Sequence, residues 1–259
     1  MNLEGKKVFI TGGCSGMGRA VADRAIAGGS LVTIFDFAPK EKMDKVQKEL
    51  GENCFMYQGD VTNAEDVAKG VAYAVEKMGG LTSAVNCAGG GRNGDIDKIA
   101  LKDFDFTVKL CLYGVFHCLR EEIRYMKENG GSIVNFSSLA ADFMSRGGAA
   151  YSAAKAGVNA LTQTAAIELG KYNIRVNAVR PGLIATEKMA PAMAQPGYTE
   201  KFLKDVPIKR PGLPEDVANY VIYLLGDEST YLTGTLTQID GGCQLVGMPQ
   251  TLTDMEDPD

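Results

Sequence analysis

Tryptophan is absent from the 259-residue sequence, and histidine occurs once, at His117. The six cysteines form no Cys-x-x-Cys pair. Zinc sites need clusters of such ligands, so the sequence predicts no metal site. Disulfide frameworks need paired cysteines, so we expect reduced thiols and a cytoplasmic protein. No apolar run approaches the ~18 residues that span a bilayer. The opening stretch MNLEGKKVFITGG leads into an apparent strand, and no secretory signal is visible.

Basic residues are not in excess: 27 Lys and Arg stand against 32 Asp and Glu, a formal net charge of -5. Because these cations are scattered along the chain, we expect neither nucleic acid nor an anionic membrane as a partner. Hydrophobic residues make up 45% of the sequence and glycine occurs 31 times, which is typical of a globular protein. The length suits one large α/β domain, residues 1–259, that binds a small molecule.

Short apolar segments alternate with longer segments of helical periodicity. The apparent strands are KVFIT, SLVTIFD, CFMYQGD, LTSAVNCAG, GSIVNFSS, IRVNAVRPG and GTLTQIDGG, with helical patterns such as residues 63–78 and 103–127 between them. This alternation indicates βαβ units and predicts a single-domain, Rossmann-type, doubly wound parallel sheet of about seven strands with helices on both faces. Residues 186–210 interrupt it and are predicted to form a substrate lid, and residues 249–259 form an acidic tail.

A glycine cluster follows the first strand, in the sequence TGGCSGMG. Gly12, Gly16 and Gly18 would let the backbone turn tightly and approach a pyrophosphate. The helix that begins there would offer its N-terminal N–H groups to the same anion. A glycine cluster by itself also fits a simple tight turn, but a strand before it and a helix after it are the context that a nucleotide site requires.

The second strand ends in Asp36, eighteen residues after Gly18. A carboxylate there can accept hydrogen bonds from both hydroxyls of an adenosine ribose, whereas a 2′-phosphate would meet its negative charge. Neither Ser15 nor Phe37 supplies a cation that would neutralise such a phosphate. The sequence therefore favours NAD over NADP.

The stretch AAYSAAKAGVNAL places Tyr151 and Lys155 four residues apart among small residues. Four residues are about one helical turn, so both side chains would project from the same face of a helix. Alone, this spacing is typical of an ordinary amphipathic helix. A chemical function for the pair depends on the rest of the chain.

Several short motifs follow one another along the chain. They are TGGCSGMG at 11–18, GDV at 59–61, NCAG at 86–89, the second serine of NFSS, YSAAK at 151–155, RPGLIAT at 180–186 and DGG at 240–242. In this order, with Ser138 thirteen residues before Tyr151, the sequence resembles the short-chain dehydrogenase/reductase family from Lys6 to about Gly242.

The resemblance implies a catalytic role for Ser138, Tyr151 and Lys155. Tyr151 would be the general acid in carbonyl reduction and the general base in alcohol oxidation. A free phenol titrates near pKa ~10, so the Lys155 ammonium and oxidised nicotinamide would be needed to stabilise the phenolate. Lys155 would also bind the nicotinamide ribose, and Ser138 would hydrogen-bond the substrate oxygen.

The same resemblance implies a set of cofactor contacts, with NAD carrying the hydride. The set consists of Gly12, Ser15, Gly16, Met17, Gly18, Asp36, Asp60, Val61, Asn86, Ala88, Gly89, Tyr151, Lys155, Pro181, Ile184 and Thr186. Two residues depart from the family pattern: Cys87 replaces the second Asn of NNAG, and Cys111 stands where the family commonly has an Asn that helps hold a water beside Lys155.

The predicted function is NAD-dependent interconversion of a secondary alcohol and a ketone, on a hydrophobic, alicyclic or steroid-like substrate. This preference rests on apolar residues before Tyr151 and in the lid, namely Phe143, Met144, Met189, Pro191, Met193, Tyr198 and Phe202. Arg92, Arg146 and Lys188 would instead suit a sugar-acid or acyl-carrier substrate. The alternatives are a 3-oxoacyl or sugar-type carbonyl reductase, a lyase or epimerase, and a non-catalytic NAD sensor. The family also implies a homo-oligomer, a dimer or tetramer.

Overall fold

The computed structural model describes residues 2–204 and 206–246, so the predicted acidic tail at 249–259 lies outside the described residues. Within that part of the chain, seven strands form one sheet in which every pairing is parallel. The strands are Lys7–Thr11 (β1), Leu31–Asp36 (β2), Cys54–Gln58 (β3), Ser83–Asn86 (β4), Gly131–Phe136 (β5), Ile174–Pro181 (β6) and Leu236–Ile239 (β7).

Helices connect the strands and cover the sheet. They are Gly16–Ala27 (α1), Lys40–Leu50 (α2), Ala64–Met78 (α3), Leu101–Val108 (α4), Gly114–Met126 (α5), Ala149–Leu169 (α6), Ala190–Met193 (α7), Tyr198–Leu203 (α8), Pro214–Leu225 (α9) and Cys243–Val246 (α10). A π-helical segment, Lys109–Tyr113, joins α4 to α5, and short 3₁₀ turns occupy 139–141, 170–172 and 227–229. No helix in the described part of the chain is long and apolar enough to cross a membrane.

The strand order is β3-β2-β1-β4-β5-β6-β7. The chain therefore first builds outward from β1 to β3 and then crosses back to place β4 on the other side of β1. At such a reversal the connections after β1 and β4 leave the sheet in opposite directions and open a crevice at the carboxyl ends of the strands. The predicted doubly wound parallel sheet of about seven strands is confirmed.

Two apolar layers pack on the two faces of the sheet. In β1, Val8 and Ile10 belong to the cluster beneath α1 and α9, whereas Phe9 belongs to the cluster beneath α3, α5 and α6. All three side chains are fully buried. Burial on both faces explains why Val8, Phe9 and Ile10 form a continuous apolar run rather than an alternation with polar residues.

Local signals set the bounds of α3. The Asn63 side chain accepts hydrogen bonds from the backbone N–H groups of Glu65 (2.9 Å) and Asp66 (3.4 Å), which satisfies two of the free donors at the helix start. Gly79 ends the helix with φ 68°, a left-handed conformation that favours glycine. The predicted helix at 63–78 is confirmed to within one residue.

Residues 186–204 and 206–210 follow β6 and contain the short helices α7 and α8. Phe202 and Val206 are buried against Leu139 and Leu183, in a small apolar cluster separate from the two main layers. This segment therefore packs, through its own apolar cluster, against residues that directly follow β5 and β6.

Candidate active site

Two adjoining cavities open at the carboxyl ends of β1, β4, β5 and β6. The larger cavity, of about 530 Å³, extends over the crevice beside β1. It is lined by Gly12, Ser15, Gly16, Met17, Phe35, Asp36, Phe37, Gly59, Asp60, Val61, Thr62, Cys87, Ala88, Gly89, Phe106, Lys109, Leu110, Thr186, Glu187 and Lys188. Its volume is in the range of pockets that enclose organic ligands.

The glycine turn forms the floor of the larger cavity because no side chain would fit there. A Cβ on Gly12 would lie 2.9 Å from the Cα of Ala88, and Gly12 has φ 71°. The Thr11 hydroxyl accepts a 3.1 Å hydrogen bond from the Ala88 N–H, which holds the two strand ends together. Helix α1 begins directly after this turn, and its first residues, Gly16 and Met17, line the cavity. Ser15 makes no side-chain cap, so the N–H groups of the first turn remain available to a ligand.

Asp36 lies at the far edge of the larger cavity. Its Oδ2 accepts a hydrogen bond from the Cys14 N–H and its Oδ1 accepts one from the Ala38 N–H, both 2.9 Å. These bonds fix the carboxylate in place with further lone pairs open to a ligand. Burial raises the pKa of the Cys14 thiol to about 12, and the Asp36 charge adds to the effect, so this cysteine stays neutral.

The smaller cavity, of about 360 Å³, adjoins the larger one. It is lined by Met17, Cys87, Gly89, Gly90, Gly91, Asn93, Phe136, Ser137, Ser138, Leu139, Ala140, Tyr151, Lys155, Pro181, Gly182, Leu183, Ile184, Thr186, Lys188, Met189 and Phe202. Met17, Cys87, Gly89, Thr186 and Lys188 line both cavities, so the two form one continuous site.

Tyr151 and Lys155 lie on the first two turns of α6, as their spacing predicts. The Lys155 Nζ lies 5.6 Å from the centroid of the Tyr151 ring and donates a 2.6 Å hydrogen bond to the Phe136 carbonyl. Burial acts to lower the pKa of Lys155, but Tyr151, Cys111 and Cys87 raise it by more, and the net pKa lies above its ordinary value. Lys155 therefore holds a positive charge beside the Tyr151 ring.

Ser138 follows β5 at the edge of the smaller cavity. Its Oγ accepts a 3.1 Å hydrogen bond from the Ala140 N–H, so its own hydrogen remains available to an acceptor in the cavity. Ser138, Tyr151 and Lys155 all line this one cavity. The structure thus brings together all three residues of the predicted catalytic set.

The chain is similar to known reductases and dehydrogenases over most of its length. Residues 12–244 match the family described as Enoyl-(Acyl carrier protein) reductase. The chain is 39% identical to the 3-oxoacyl-[acyl-carrier-protein] reductase FabG of Thermotoga maritima, over 93% of this chain and 99% of that protein. It is 30% identical to the 7alpha-hydroxysteroid dehydrogenase of Escherichia coli, over 93% and 95% of the two chains.

A solved structure of a short-chain type dehydrogenase/reductase from Mycobacterium ulcerans superposes with a TM-score of 0.92 at 34% identity, covering 96% of this chain and 92% of that one. The chain belongs to the short-chain dehydrogenase/reductase family. The resemblance that the sequence motifs indicate is confirmed, and the protein is an oxidoreductase of carbonyl or alcohol groups that uses a nicotinamide cofactor.

Most of the cofactor contacts predicted for this short-chain dehydrogenase/reductase line the two cavities, and Gly18 and Asn86 do not. Gly18 lies within α1, where a Cβ would approach the Gly12 carbonyl oxygen to 2.3 Å. Asn86 is 1% exposed, and its Nδ2 donates to Glu122 Oε2 (3.2 Å) and Asn135 Oδ1 (3.0 Å). Both residues support the cavity walls from behind.

Cys111, which departs from the family pattern, lies fully buried in the π-helical segment. Its thiol donates a 2.9 Å hydrogen bond to the Gly90 carbonyl and its sulfur accepts one of 3.4 Å from the Gly90 N–H. The thiol therefore ties the wide helical turn to the loop between the two cavities. Burial raises the pKa of the other departure, Cys87, to about 12, which leaves that thiol protonated.

The residues predicted to choose the substrate divide between the cavity and its surroundings. Met189 and Phe202 line the smaller cavity, whereas Met144 is 64% exposed outside it. Arg92 pairs with Asp103 and Arg146 with Asp95, while Lys188 lines both cavities.

Sequence reasoning missed part of the larger cavity. Phe106, Lys109 and Leu110 line it from the junction of α4 with the π-helical segment. No motif marks them, because only the folded connection after β4 brings this junction to the crevice.

Proposed function

We propose that this protein is an NAD-dependent alcohol dehydrogenase or ketone reductase that interconverts a secondary alcohol and a ketone. The observation that carries the proposal is that Ser138, Tyr151 and Lys155 line one cavity that is continuous with a glycine-floored cavity. The residues present fit a dinucleotide: Gly12, Gly16 and the start of α1 line the larger cavity, where backbone N–H groups can meet a pyrophosphate without intervening side chains.

When bound, the nicotinamide ring supplies or accepts the hydride. The chain handles the proton and the charge. Tyr151 donates its phenolic proton to the substrate oxygen in reduction and removes the alcohol proton in oxidation. The buried Lys155 ammonium stabilises the phenolate, which is the same attraction that raises the pKa of Lys155. The Ser138 hydroxyl donates to the substrate oxygen and stabilises the negative charge that develops there.

We propose NAD as the cofactor because of the Asp36 carboxylate. In the larger cavity it is held by the Cys14 and Ala38 N–H groups, where it would accept hydrogen bonds from ribose hydroxyls and repel a 2′-phosphate. The remaining predicted contacts would hold the rest of the cofactor, with Thr186 and Ile184 on the nicotinamide side.

The substrate that we propose is hydrophobic, alicyclic or steroid-like. Leu139, Leu183, Ile184, Met189 and Phe202 give the smaller cavity an apolar wall. We propose that residues 186–210, which contribute Met189 and Phe202, act as the substrate lid. The alternative is a 3-oxoacyl substrate. The 39% identity to the Thermotoga maritima reductase supports this alternative, and the 30% identity to the hydroxysteroid dehydrogenase supports a steroid.

We further propose a homo-oligomer assembled through α5 and α6. Phe116 (47% exposed) on α5 and Ile167 (84%) on α6 present apolar surface, with Tyr113 (53%) at the end of the π-helical segment just before α5. Part of the small-residue surface of α6 is used within the chain, since a Cβ on Gly157 would lie 2.8 Å from Leu112. Light scattering of the purified protein should give a dimer or tetramer mass, and a monomer at micromolar concentration would contradict this arrangement.

The experiment that tests the function follows the absorbance of reduced nicotinamide. Purified protein is mixed with alicyclic, steroidal, sugar and 3-oxoacyl substrates, with NAD and NADP in parallel. We expect turnover with NAD in one hydrophobic class, no turnover by Tyr151→Phe despite unchanged NAD binding, and native turnover by the control Tyr172→Phe, which lies beyond α6. NAD binding without turnover across the panel would favour a non-catalytic sensor. Full activity of Tyr151→Phe would contradict the proposed role of Tyr151 as general acid and base.

A further inference from the structure

Arg180 is a buried cation at the carboxyl end of β6, next to Pro181 of the smaller cavity. It is 8% exposed. Burial lowers the pKa of Arg180 from its ordinary value, against the opposing charge of Asp240. A guanidinium keeps its charge under these conditions, so burying it costs free energy. An uncharged side chain could fill the same space without that cost.

Its ion-pair partner is Asp142, in the loop between β5 and α6. Arg180 Nη1 contacts Asp142 Oδ2, and the Asp142 side chain is 41% exposed. Arg180 Nε is buried, and within residues 2–204 and 206–246 it has no hydrogen-bond partner. An ion pair that leaves one buried donor unsatisfied is a poor source of stability, which points to a role in holding the loop.

Asp142 stands at the end of a tight turn that begins at Ser138. Ala141 N–H donates to the Ser138 carbonyl and Asp142 N–H to the Leu139 carbonyl, both at 3.1 Å. The Ala140 N–H donates to Ser138 Oγ at 3.1 Å, so the direction of the hydroxyl depends on the same turn. A displacement at Asp142 is therefore transmitted over one turn to the Ser138 side chain.

The other end of this turn is fixed by the sheet. The Ser137 N–H donates to the Val179 carbonyl at 2.9 Å, which continues the pairing of β5 with β6. Arg180, the residue after Val179, reaches past this bond to Asp142. Strand β6 thus contacts the turn at both ends: the Val179 carbonyl binds the Ser137 N–H, and the Arg180 side chain binds Asp142.

We propose that Arg180 is a positioning residue, which through its ion pair with Asp142 holds the Ser138 turn and so aims the Ser138 hydroxyl at the substrate oxygen. The inference rests on the proposed function, in which that hydroxyl contacts the substrate. Neither Arg180 nor Asp142 lines the larger cavity, so loss of the pair should change turnover and leave the affinity for NAD unchanged.

The first test measures whether Arg180 holds the turn, and it needs no substrate. Amide hydrogen exchange is followed at residues 140–143 in the native protein, Arg180→Met and Asp142→Asn. We expect faster exchange at these amides in both variants. Arg180→Met should fold, because it removes a buried charge and leaves a carboxylate that is 41% exposed.

Arg175→Met is the matched control. Arg175 lies on the same strand at the end away from the site, where its Nη2 donates to the Leu224 (2.7 Å) and Gly226 (3.2 Å) carbonyls. Its loss should leave exchange at 140–143 at the native rate. Unchanged protection in Arg180→Met, or equal acceleration in Arg175→Met, would overturn the proposal.

The second test measures whether the turn aims Ser138. The turnover number is compared for native protein, Arg180→Met, Ser138→Ala and the double variant. Misplacement of a reacting group by about 1 Å can cost about 100-fold, so we expect Arg180→Met to lower kcat at least about tenfold, with partial recovery in Arg180→Lys. In the Ser138→Ala background the same change should cost less than about twofold, because the hydroxyl is already gone.

An equal loss from Arg180→Met in both backgrounds would overturn the positioning role, since Arg180 would then act independently of Ser138. Failure of the proposed function would look different. In that case the native protein would turn over no substrate of the panel, while hydrogen exchange would still decide whether Arg180 holds the turn.

Discussion

Glu122 is an acidic residue in the interior between α5 and the sheet. Its side chain is fully buried, and its Oε2 accepts a 3.2 Å hydrogen bond from Asn86 Nδ2. Its Oε1 has no hydrogen-bond partner among the described residues. Burial raises the pKa of Glu122 from 4.5 to about 8, and the bond from Asn86 lowers it only in part. The folded protein therefore holds this carboxyl group neutral at neutral pH.

The sign of the pH dependence follows from the raised pKa. The unfolded chain releases the Glu122 proton near pH 4.5, whereas the folded chain retains it up to about pH 8. The stability contributed by the neutral group is complete below pH 4.5 and is lost as the pH rises to 8. At about 1.36 kcal/mol for each pH unit, the loss is about 3 kcal/mol by pH 7 and about 5 kcal/mol by pH 8.

Glu122→Gln removes this loss, because a glutamine has the same shape, keeps an acceptor for Asn86 and does not ionise. We expect the variant to match the native stability within about 1 kcal/mol at pH 5 and to exceed it by about 3 kcal/mol at pH 7. For a chain of 259 residues, that difference raises the melting temperature at pH 7 by about 6 °C.

The assay is thermal and urea-induced unfolding of both proteins between pH 5 and pH 9. Glu128→Gln, at an exposed position just beyond α5, is the matched control and should follow the native profile throughout. If Glu122→Gln and the native protein lose stability in parallel as the pH rises, Glu122 is already ionised in the folded state and the reasoning from its burial is refuted.

Three further changes test the larger cavity and the loop beside it. Gly18→Ala would place a Cβ 2.3 Å from the Gly12 carbonyl oxygen, so we expect calorimetry to show at least about tenfold weaker NAD binding, and native affinity would contradict the close approach. Asp36→Ser removes the charge that faces a 2′-phosphate and should shift the NADP to NAD affinity ratio toward NADP by about tenfold or more; an unchanged ratio would place cofactor choice elsewhere. Cys111→Ala removes both hydrogen bonds between the thiol and Gly90 and should lower the free energy of unfolding by about 1–3 kcal/mol, with recovery in Cys111→Ser. Equal loss in both variants would mean that the sulfur acts through packing.

The strands and the glycine turn could be predicted because their causes are local. Val8, Phe9 and Ile10 in β1 are fully buried, so the strand contains an apolar run that marks it as central. The glycine turn follows from the positive φ of Gly12, which favours glycine, and the helical spacing of Tyr151 and Lys155 follows from helix geometry alone. Each of these features needs no knowledge of a distant residue.

The helix predicted at 103–127 shows where local reasoning ends. The structure begins this helix at Leu101 and widens it into a π-helical turn at 109–113 before α5. Within the turn, Leu112 packs against Gly157 of α6, and Cys111 exchanges hydrogen bonds with Gly90. Both contacts join residues far apart in the sequence, so helical periodicity contains no sign of them. The ion pair of Arg180 with Asp142 could not be predicted for the same reason, since its two residues are far apart in the sequence.

Buried polar contacts explain how the site keeps its geometry although loops surround it. Asn135 Nδ2 of β5 donates to Thr162 Oγ1 of α6 at 3.0 Å, and the Ser137 hydroxyl donates to the Lys155 carbonyl at 3.1 Å. These bonds fix the position of α6 relative to β5, because each donor would lose its acceptor if the helix shifted along the strand by one residue. The position of Tyr151, one turn before Lys155, is thus set by the sheet. A change in the proposed lid would then leave Tyr151, the proposed proton donor, in place.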